Sequence, residues 1–348
     1  MPSAAKHSGQ PGTRAASSDA RPVHRDFGLG DAEALEVFYA MLVSRELSQS
    51  ALKLAFQGAI DVAIPSDGHE AAQIASIRAL RPTDPVYLFY RSVPAAYARG
   101  MSAREILLDY FGRRDGPSSG GKNLAGHWAK RELHLMSISG SVATQIPHAV
   151  GSALAARLRG EDSVSVAYFG DGGSSKSDFH EGLNFAAVHQ LPVVLFCENN
   201  GVAISVPFEK QSGVARVADR AVGYAVVGIS VDGADPLQVF RVMREAVDAA
   251  RAGRGPALIE ARVTRLGQHT SQVGDARPPE DLAEARRHDP LPGFAHYLRH
   301  HGLLDDALAR QLRARAEQEV ADAVAFAAEA PEPPVGRAFA DVYASQTS

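Results

Sequence analysis

The chain has 348 residues, 45% of them hydrophobic and 22% charged, an ordinary globular composition that excludes wholesale disorder, a collagen-like repeat and a low-complexity polymer. Lys and Arg number 36 against 40 Asp and Glu, and the resulting formal net charge of −4 lacks the basic excess of a nucleic-acid binder. The single cysteine, Cys197, excludes an intramolecular disulfide and a cysteine-rich zinc site, and points to a reducing, cytosol-like compartment.

No run approaches the roughly 18 to 20 apolar residues of a membrane span, and the start of the chain lacks the apolar block of a secretory signal, so no membrane partner is expected. Residues 1–28 are rich in Ser, Ala, Pro and Gly and read as a disordered tail ahead of one domain, 29–348. A transit peptide for the mitochondrial matrix is the competing reading of its Arg and Ser content. Asp19 and the clustered Pro and Gly disfavour it, which leaves a cytoplasmic location as the expectation.

In chain order, apolar residues from Leu35 to Phe56 recur with helical spacing over Asp31 to Gln57, and a second helix is expected over Gly68 to Leu80. The aromatic run Val86-Tyr87-Leu88-Phe89-Tyr90 suits a buried strand, and Ala103 to Phe111 another helix. Arg113 to Lys130, dense in Gly, Ser and basic residues, has no periodicity and reads as a long loop, a kind that is usually functional. Beyond it helices (Ala143 to Leu158, Asp178 to His189, Pro236 to Ala252) alternate with apolar strands (Ser163 to Phe169, Pro192 to Cys197, Ala225 to Val231, Ala257 to Thr264). Continuous apolar strands between helices predict an α/β fold whose parallel sheet is covered on both faces. A charged helical extension is expected from about residue 280.

The strand ending at Phe169 runs into Gly170-Asp171-Gly172-Gly173-Ser174, and a helix follows. Ligands of open α/β sheets bind at the carboxyl ends of strands, where glycines let the backbone approach and free helix amides face an anion. A phosphate fits there, yet Asp171 would repel it unless a divalent cation such as Mg²⁺ lay between them. The next strand ends in Glu198-Asn199-Asn200-Gly201-Val202, whose amide and carbonyl oxygens can complete such a cation's shell.

Gly-Asp-Gly followed after residues 173–198 by Asn-Asn resembles the thiamine diphosphate binding motif. The run from Gly170 to Pro207, with Gly68 to Gln73, Tyr90-Arg91, Ser141 to Gly151 and Gly255 to Ser271, is similar to the alpha subunit of the 2-oxo acid dehydrogenase decarboxylase component, with wording nearest its branched-chain branch. The resemblance implies a thiamine diphosphate-binding fold. It also implies oxidative decarboxylation of a branched-chain 2-oxo acid with acyl transfer to lipoyl groups, in a heterotetramer of two alpha and two beta chains docked on a lipoylated acyltransferase core. The beta chain supplies the glutamate that activates the cofactor, so this chain is expected to be incomplete alone.

Carried over by motif, Asp171, Asn200 and the Val202 carbonyl would ligate Mg²⁺. Phe89, Tyr90, Arg91, Gly140, Val142, Gly170, Gly172, Gly173, Ser174, Ala203 and Ile204 would lie against the cofactor. His269, within Gly267-Gln268-His269-Thr270-Ser271, would face its reacting carbon as the catalytic residue. Ser139, Ser141, Thr144 and Gln145 resemble a monovalent-cation (K⁺) loop; a helix N-terminus with its cap is the competing reading. Val62, Tyr90, Leu124 and His127 match positions that line the substrate pocket. After Ser271 the chain departs from its relatives, which commonly carry several Asp and a Tyr-Arg pair; Arg277 is the candidate substitute, and Thr270 and Ser271 are the hydroxyls a kinase would meet there. The competing functions are a pyruvate or acetoin dehydrogenase alpha subunit and a non-catalytic, cofactor-free homologue. A Rossmann dehydrogenase is disfavoured because neither Gly28-Leu29-Gly30 nor Gly170-Asp171-Gly172 has the further glycine that motif needs.

Overall fold

The structure, a computed structural model, describes residues 23–340. The expected tail lies outside the described residues as far as residue 22, but its last part is folded: α1 (Val23–Asp26) buries His24, which bonds the Tyr297 hydroxyl at 2.7 Å and Asp31 at 3.0 Å. The domain therefore begins earlier than the composition of 1–28 implied. α2 (Asp31–Phe56) and α3 (Glu70–Arg78) follow. Helix α3 is shorter than expected because Gly68, at φ 94°, passes so close to Thr264 that a Cβ would stand 1.8 Å from its carbonyl oxygen. Only glycine fits that crossing.

β1 is confined to Val86–Tyr87, not the five residues its apolar run suggested. The chain turns at once: the Phe89 amide donates to Ser92 Oγ at 3.2 Å and the Ser92 amide returns to the Phe89 carbonyl at 3.0 Å. That turn withdraws Phe89, Tyr90 and Arg91 from the ladder and leads into α4 (Val93–Ala98). α5 (Ala103–Tyr110) starts from a capping box in which Ser102 and Glu105 satisfy each other's amides.

The 113–130 segment has no helix or strand but is tightly packed. Trp128 is fully buried, and Asp109 accepts from the amide and hydroxyl of Ser118, whose Oγ in turn accepts from the Ala129 amide at 3.1 Å. Burial outweighs those donors and pushes the Asp109 carboxyl up to about 6. Above that pH the cost of the buried charge is fully present, and as pH falls from 6 toward the ordinary value near 3.8 the folded state takes the proton first and gains stability. Asp109→Asn should therefore stabilise the protein at pH 7 by about 1–2 kcal/mol and flatten its pH dependence between 4 and 6. Urea unfolding across that range checks this, and a less stable variant at pH 7 would contradict it.

α6 (Gln145–Arg159), β2 (Ser165–Gly170), α7 (Ser177–Val188) and β3 (Val193–Asn199) come next, then the hairpin of β4 (Val202–Ala203) and β5 (Val206–Pro207). β6 (Val227–Asp232), α8 (Pro236–Arg251) and β7 (Ala257–Arg262) complete the alternation. Asp235 starts α8 by accepting from the Leu237 and Gln238 amides, with Pro236 at the first turn where its missing N–H costs nothing. The five strands are parallel in the order β1-β2-β3-β7-β6. β2, β3 and β7 are buried along nearly their whole length, as their apolar runs required, whereas β6 is an exposed edge with Val227 59% accessible.

Alternation along the strands sends Val166, Tyr168, Val194 and Phe196 into a core shared with α2, α3, α8, α10 (Pro290–His300) and α11 (Asp306–Glu329). Ala167, Phe169, Leu195 and Cys197 enter a second core beneath α6 and α7. The helical extension is borne out and includes a third helix between β7 and α10, over Pro279–Arg287.

Candidate functional site

Where β2 and β3 end side by side, with Gly170 in register with Glu198, their loops diverge around a cavity of about 270 Å³. One wall is the glycine turn. Asp171 is 2% exposed and accepts from Gln211 Nε2 at 2.9 Å; Ser174 Oγ donates to the Asp171 carbonyl at 2.7 Å and closes the turn from behind. Burial pushes the Asp171 carboxyl up from its ordinary value. A Cβ on Gly172 would come within 2.9 Å of Ala203, and one on Gly140 within 3.1 Å of His127 Nε2, so both glycines hold room open. The facing wall is Asn200, whose Oδ1 accepts from the Val202 amide at 3.2 Å, with Val202, Ala203 and Ile204 beyond it. Ile204 (φ 57°) and Ala143 (φ 74°), both lining the cavity, sit in the left-handed region at a cost on the order of 1–3 kcal/mol each, a strain that clusters at functional sites.

The third wall is electropositive. Arg91, 2% exposed, donates to the Pro65 carbonyl, to the His269 carbonyl at 3.2 Å and to His269 Nδ1 at 3.1 Å, and has no carboxylate partner among the described residues. The Tyr90 ring meets the His269 ring edge-on at 5.9 Å. Arg265 is equally buried, bonds only carbonyls, and is drawn down to about 10 by burial and by the nearby Arg91 charge. The buried Arg91 guanidinium, with no carboxylate bonded to it among the described residues, favours an anion in the cavity, whereas Arg265 does not line the cavity and lies near the Asp275 carboxylate.

Burial first, then Arg91 and Arg265, push His269 down to about 4. The ring is thus neutral at pH 7. Because Arg91 can only donate, Nδ1 is the acceptor and Nε2 carries the ring proton. NMR titration should place this imidazole near pH 4, and a value near 6.5 would contradict the geometry. With its folded pKa depressed, the histidine's contribution to stability is lost as pH falls from about 6.5 through 4.

The dehydrogenase E1 component family matches residues 39–336. The chain belongs to this family. It is 41% identical over 292 residues to the 2-oxoisovalerate dehydrogenase subunit alpha of Bacillus subtilis, covering 83% of this chain and 88% of that one. It is 38% identical over 333 residues to the 3-methyl-2-oxobutanoate dehydrogenase subunit alpha of Mycobacterium tuberculosis (94% and 86% covered), and 34% identical over 299 residues to the pyruvate dehydrogenase E1 component subunit alpha of Staphylococcus aureus (85% and 78%).

In this E1 component chain the cavity collects Phe89, Tyr90, Arg91, Gly140, Val142, Gly170, Asp171, Gly172, Gly173, Asn200, Val202, Ala203, Ile204 and His269, while Ser174 stands behind the turn it closes. Ser139 and Gln145 also line it. Ser141 and Thr144 do not; Thr144 Oγ1 donates to Asp178 at 3.4 Å, and the Gln145 amide to the Tyr168 carbonyl at 2.7 Å. Thr144 does occupy the N-cap position of α6, without a side-chain capping bond. Of the expected substrate residues, Tyr90 lies in this cavity, but Val62 and Leu124 line a second one of about 270 Å³ with Asp109 and Lys122. His127 joins the two regions, holding the Leu124 carbonyl through Nδ1 at 2.8 Å while Nε2 faces Gly140.

Arg277 donates to the Arg265 and Gly267 carbonyls at 2.7 and 2.8 Å and pairs with Asp275, so it clasps the His269 loop from within. Ser271 ties the same loop to Ala63 by two bonds, its amide to the carbonyl and its hydroxyl to the amide. Ala143 and Phe169, which line the cavity, and Gln211 and Arg265, which stand beside it, were missed by sequence reasoning. Phe169 reads as core and a left-handed alanine has no signature of its own; Ala143 and Arg265 fall inside stretches that already resembled the family, which was the usable signal.

Proposed function

We propose that the chain is the alpha subunit of a branched-chain 2-oxo acid dehydrogenase, acting in the cytoplasm with a beta subunit, thiamine diphosphate and Mg²⁺, and passing its acyl product to a lipoylated acyltransferase core. The observation that carries this reading is the convergence of Asp171, Asn200, Arg91 and His269 on one cavity at the ends of adjacent strands. Among the described residues no three His, Cys, Asp or Glu side chains gather to hold a metal unaided. A carboxylate, an amide and the Val202 carbonyl are few and hard donors, the set that suits a Mg²⁺ completing its shell with phosphate oxygens.

When bound, the cofactor supplies the electron sink for decarboxylation. The chain's own residues then have distinct tasks. Arg91 neutralises diphosphate charge and, through Nδ1, fixes the His269 ring so that Nε2 donates to oxygen on the reacting substrate. Ile204, held in the left-handed region, gives the cavity rim an apolar side chain that is 54% exposed in this chain. Leu158 and Val188, on α6 and α7, and Val222 are each at least 70% exposed, surface that suits a chain built to assemble.

Identity to the two branched-chain relatives exceeds that to the pyruvate relative, which favours a branched aliphatic substrate. The test is turnover of a panel of 2-oxo acids by the chain coexpressed with its genomic neighbour, with thiamine diphosphate, Mg²⁺ and an artificial electron acceptor. Preference for 3-methyl-2-oxobutanoate supports the proposal. Preference for pyruvate moves the substrate, and robust turnover by the isolated chain refutes the need for a beta subunit.

A further inference from the structure

Strand β3 carries a feature that packing does not account for. Glu198, adjacent to Asn199-Asn200 and in register with Gly170, is completely buried. Its Oε2 accepts from His69 Nδ1 at 2.6 Å and from Gln73 Nε2 at 2.8 Å, while Oε1 and His69 Nε2 have no hydrogen-bond partner among the described residues. A carboxylate in such surroundings destabilises the fold relative to an apolar side chain of the same shape, so a purely structural purpose is a poor explanation.

Gln73 supplies a better one. Also fully buried, it spends its whole amide on three elements: Nε2 donates to Glu198 and to the Arg91 carbonyl at 3.1 Å, and Oε1 accepts from the Ala95 amide at 3.1 Å. One planar group thereby links the strand end that leads into Asn200 to the turn that presents Arg91. We propose that Gln73, anchored by Glu198, is a positioning residue that sets the separation between the metal-holding strand ends and the diphosphate-holding arginine, so that metal and diphosphate bind as a coupled unit. This rests on the cofactor reading above. His69 completes the anchor: burial keeps its ring neutral, with Nδ1 donating to Glu198.

The test uses the full chain coexpressed with its beta partner, titrated calorimetrically with thiamine diphosphate in Mg²⁺ and again in EDTA. The ratio of the two dissociation constants measures the coupling. Gln73→Leu should shrink that ratio at least about tenfold. Glu198→Gln makes the anchoring bond neutral and should lose part of the coupling, while the cofactor-free protein melts no lower than wild type because a buried charge has gone. That combination separates positioning from structure, and it stands even where Gln73→Leu fails to fold. An unchanged ratio in Glu198→Gln, or a lower melting temperature with the ratio intact, overturns the inference. Wild-type protein that binds no thiamine diphosphate overturns the site reading and this inference together.

Discussion

Asp171→Ala should abolish activity and at the same time make the cofactor-free protein more stable. The carboxylate is 2% exposed and its pKa is raised by burial, so its ionisation at pH 7 opposes folding. On the proposed reading, the return for that cost would be a hard anionic ligand for Mg²⁺ beside the diphosphate. Removing it should lower turnover by at least about a thousandfold, some 4 kcal/mol of lost transition-state stabilisation. Mg²⁺ should no longer strengthen thiamine diphosphate binding. Melting curves of the variant without cofactor should shift upward, as expected where activity has been kept at a cost in stability. A variant that is less stable, or that keeps substantial Mg²⁺-dependent turnover, contradicts the assignment.

Arg91→Met is expected to produce the second large effect, through two separable routes. Methionine fills the same buried channel without charge or donors, so the diphosphate would lose a charge-assisted contact worth about 2–3 kcal/mol, a dissociation constant about 30- to 150-fold larger. The His269 ring loses the cation that holds it down and the donor that sets its tautomer. Its pKa should therefore rise from about 4, though not to the exposed value, because burial is the larger cause. NMR of the imidazole reports this without reference to turnover, and an unmoved resonance would show that Arg91 does not act on His269.

The parts of this site that were legible in the sequence are those whose chemistry is local. Asp171 between glycines at the end of an apolar run reads as a strand-end ligand loop before any fold is known, Asn200 reads as its counterpart one strand away, and both line the cavity. The parallel sheet was legible for the same reason, since β2, β3 and β7 are each built around a run of consecutive apolar residues. What escaped depends on which distant segments meet. The run at Val86 has five strand-like residues, and only the turn made with Ser92 shows that two of them, Phe89 and Tyr90, are diverted into the cavity wall. Val62 and Leu124 were grouped with Tyr90, yet the packing of 113–130 around Asp109 places them in a separate cavity. Gln73 and Glu198 are polar residues within otherwise apolar stretches, and their meaning appears only when α3 lies across the end of β3. The folded helix at Val23–Asp26 sits in a composition typical of a tail because Tyr297, far away in sequence, holds its histidine together with Asp31.

We propose that the cavity is the thiamine diphosphate half-site of an E1 alpha chain and holds the cofactor through Mg²⁺. Its most direct test is calorimetric titration of the chain, coexpressed with its beta partner, with thiamine diphosphate and then with thiamine monophosphate. One Mg²⁺-dependent site per alpha chain is expected, lost in Asp171→Ala and discriminating strongly against the monophosphate, which carries less charge for the metal and Arg91 to share. Binding that is indifferent to Mg²⁺, to Asp171 and to the second phosphate would contradict it.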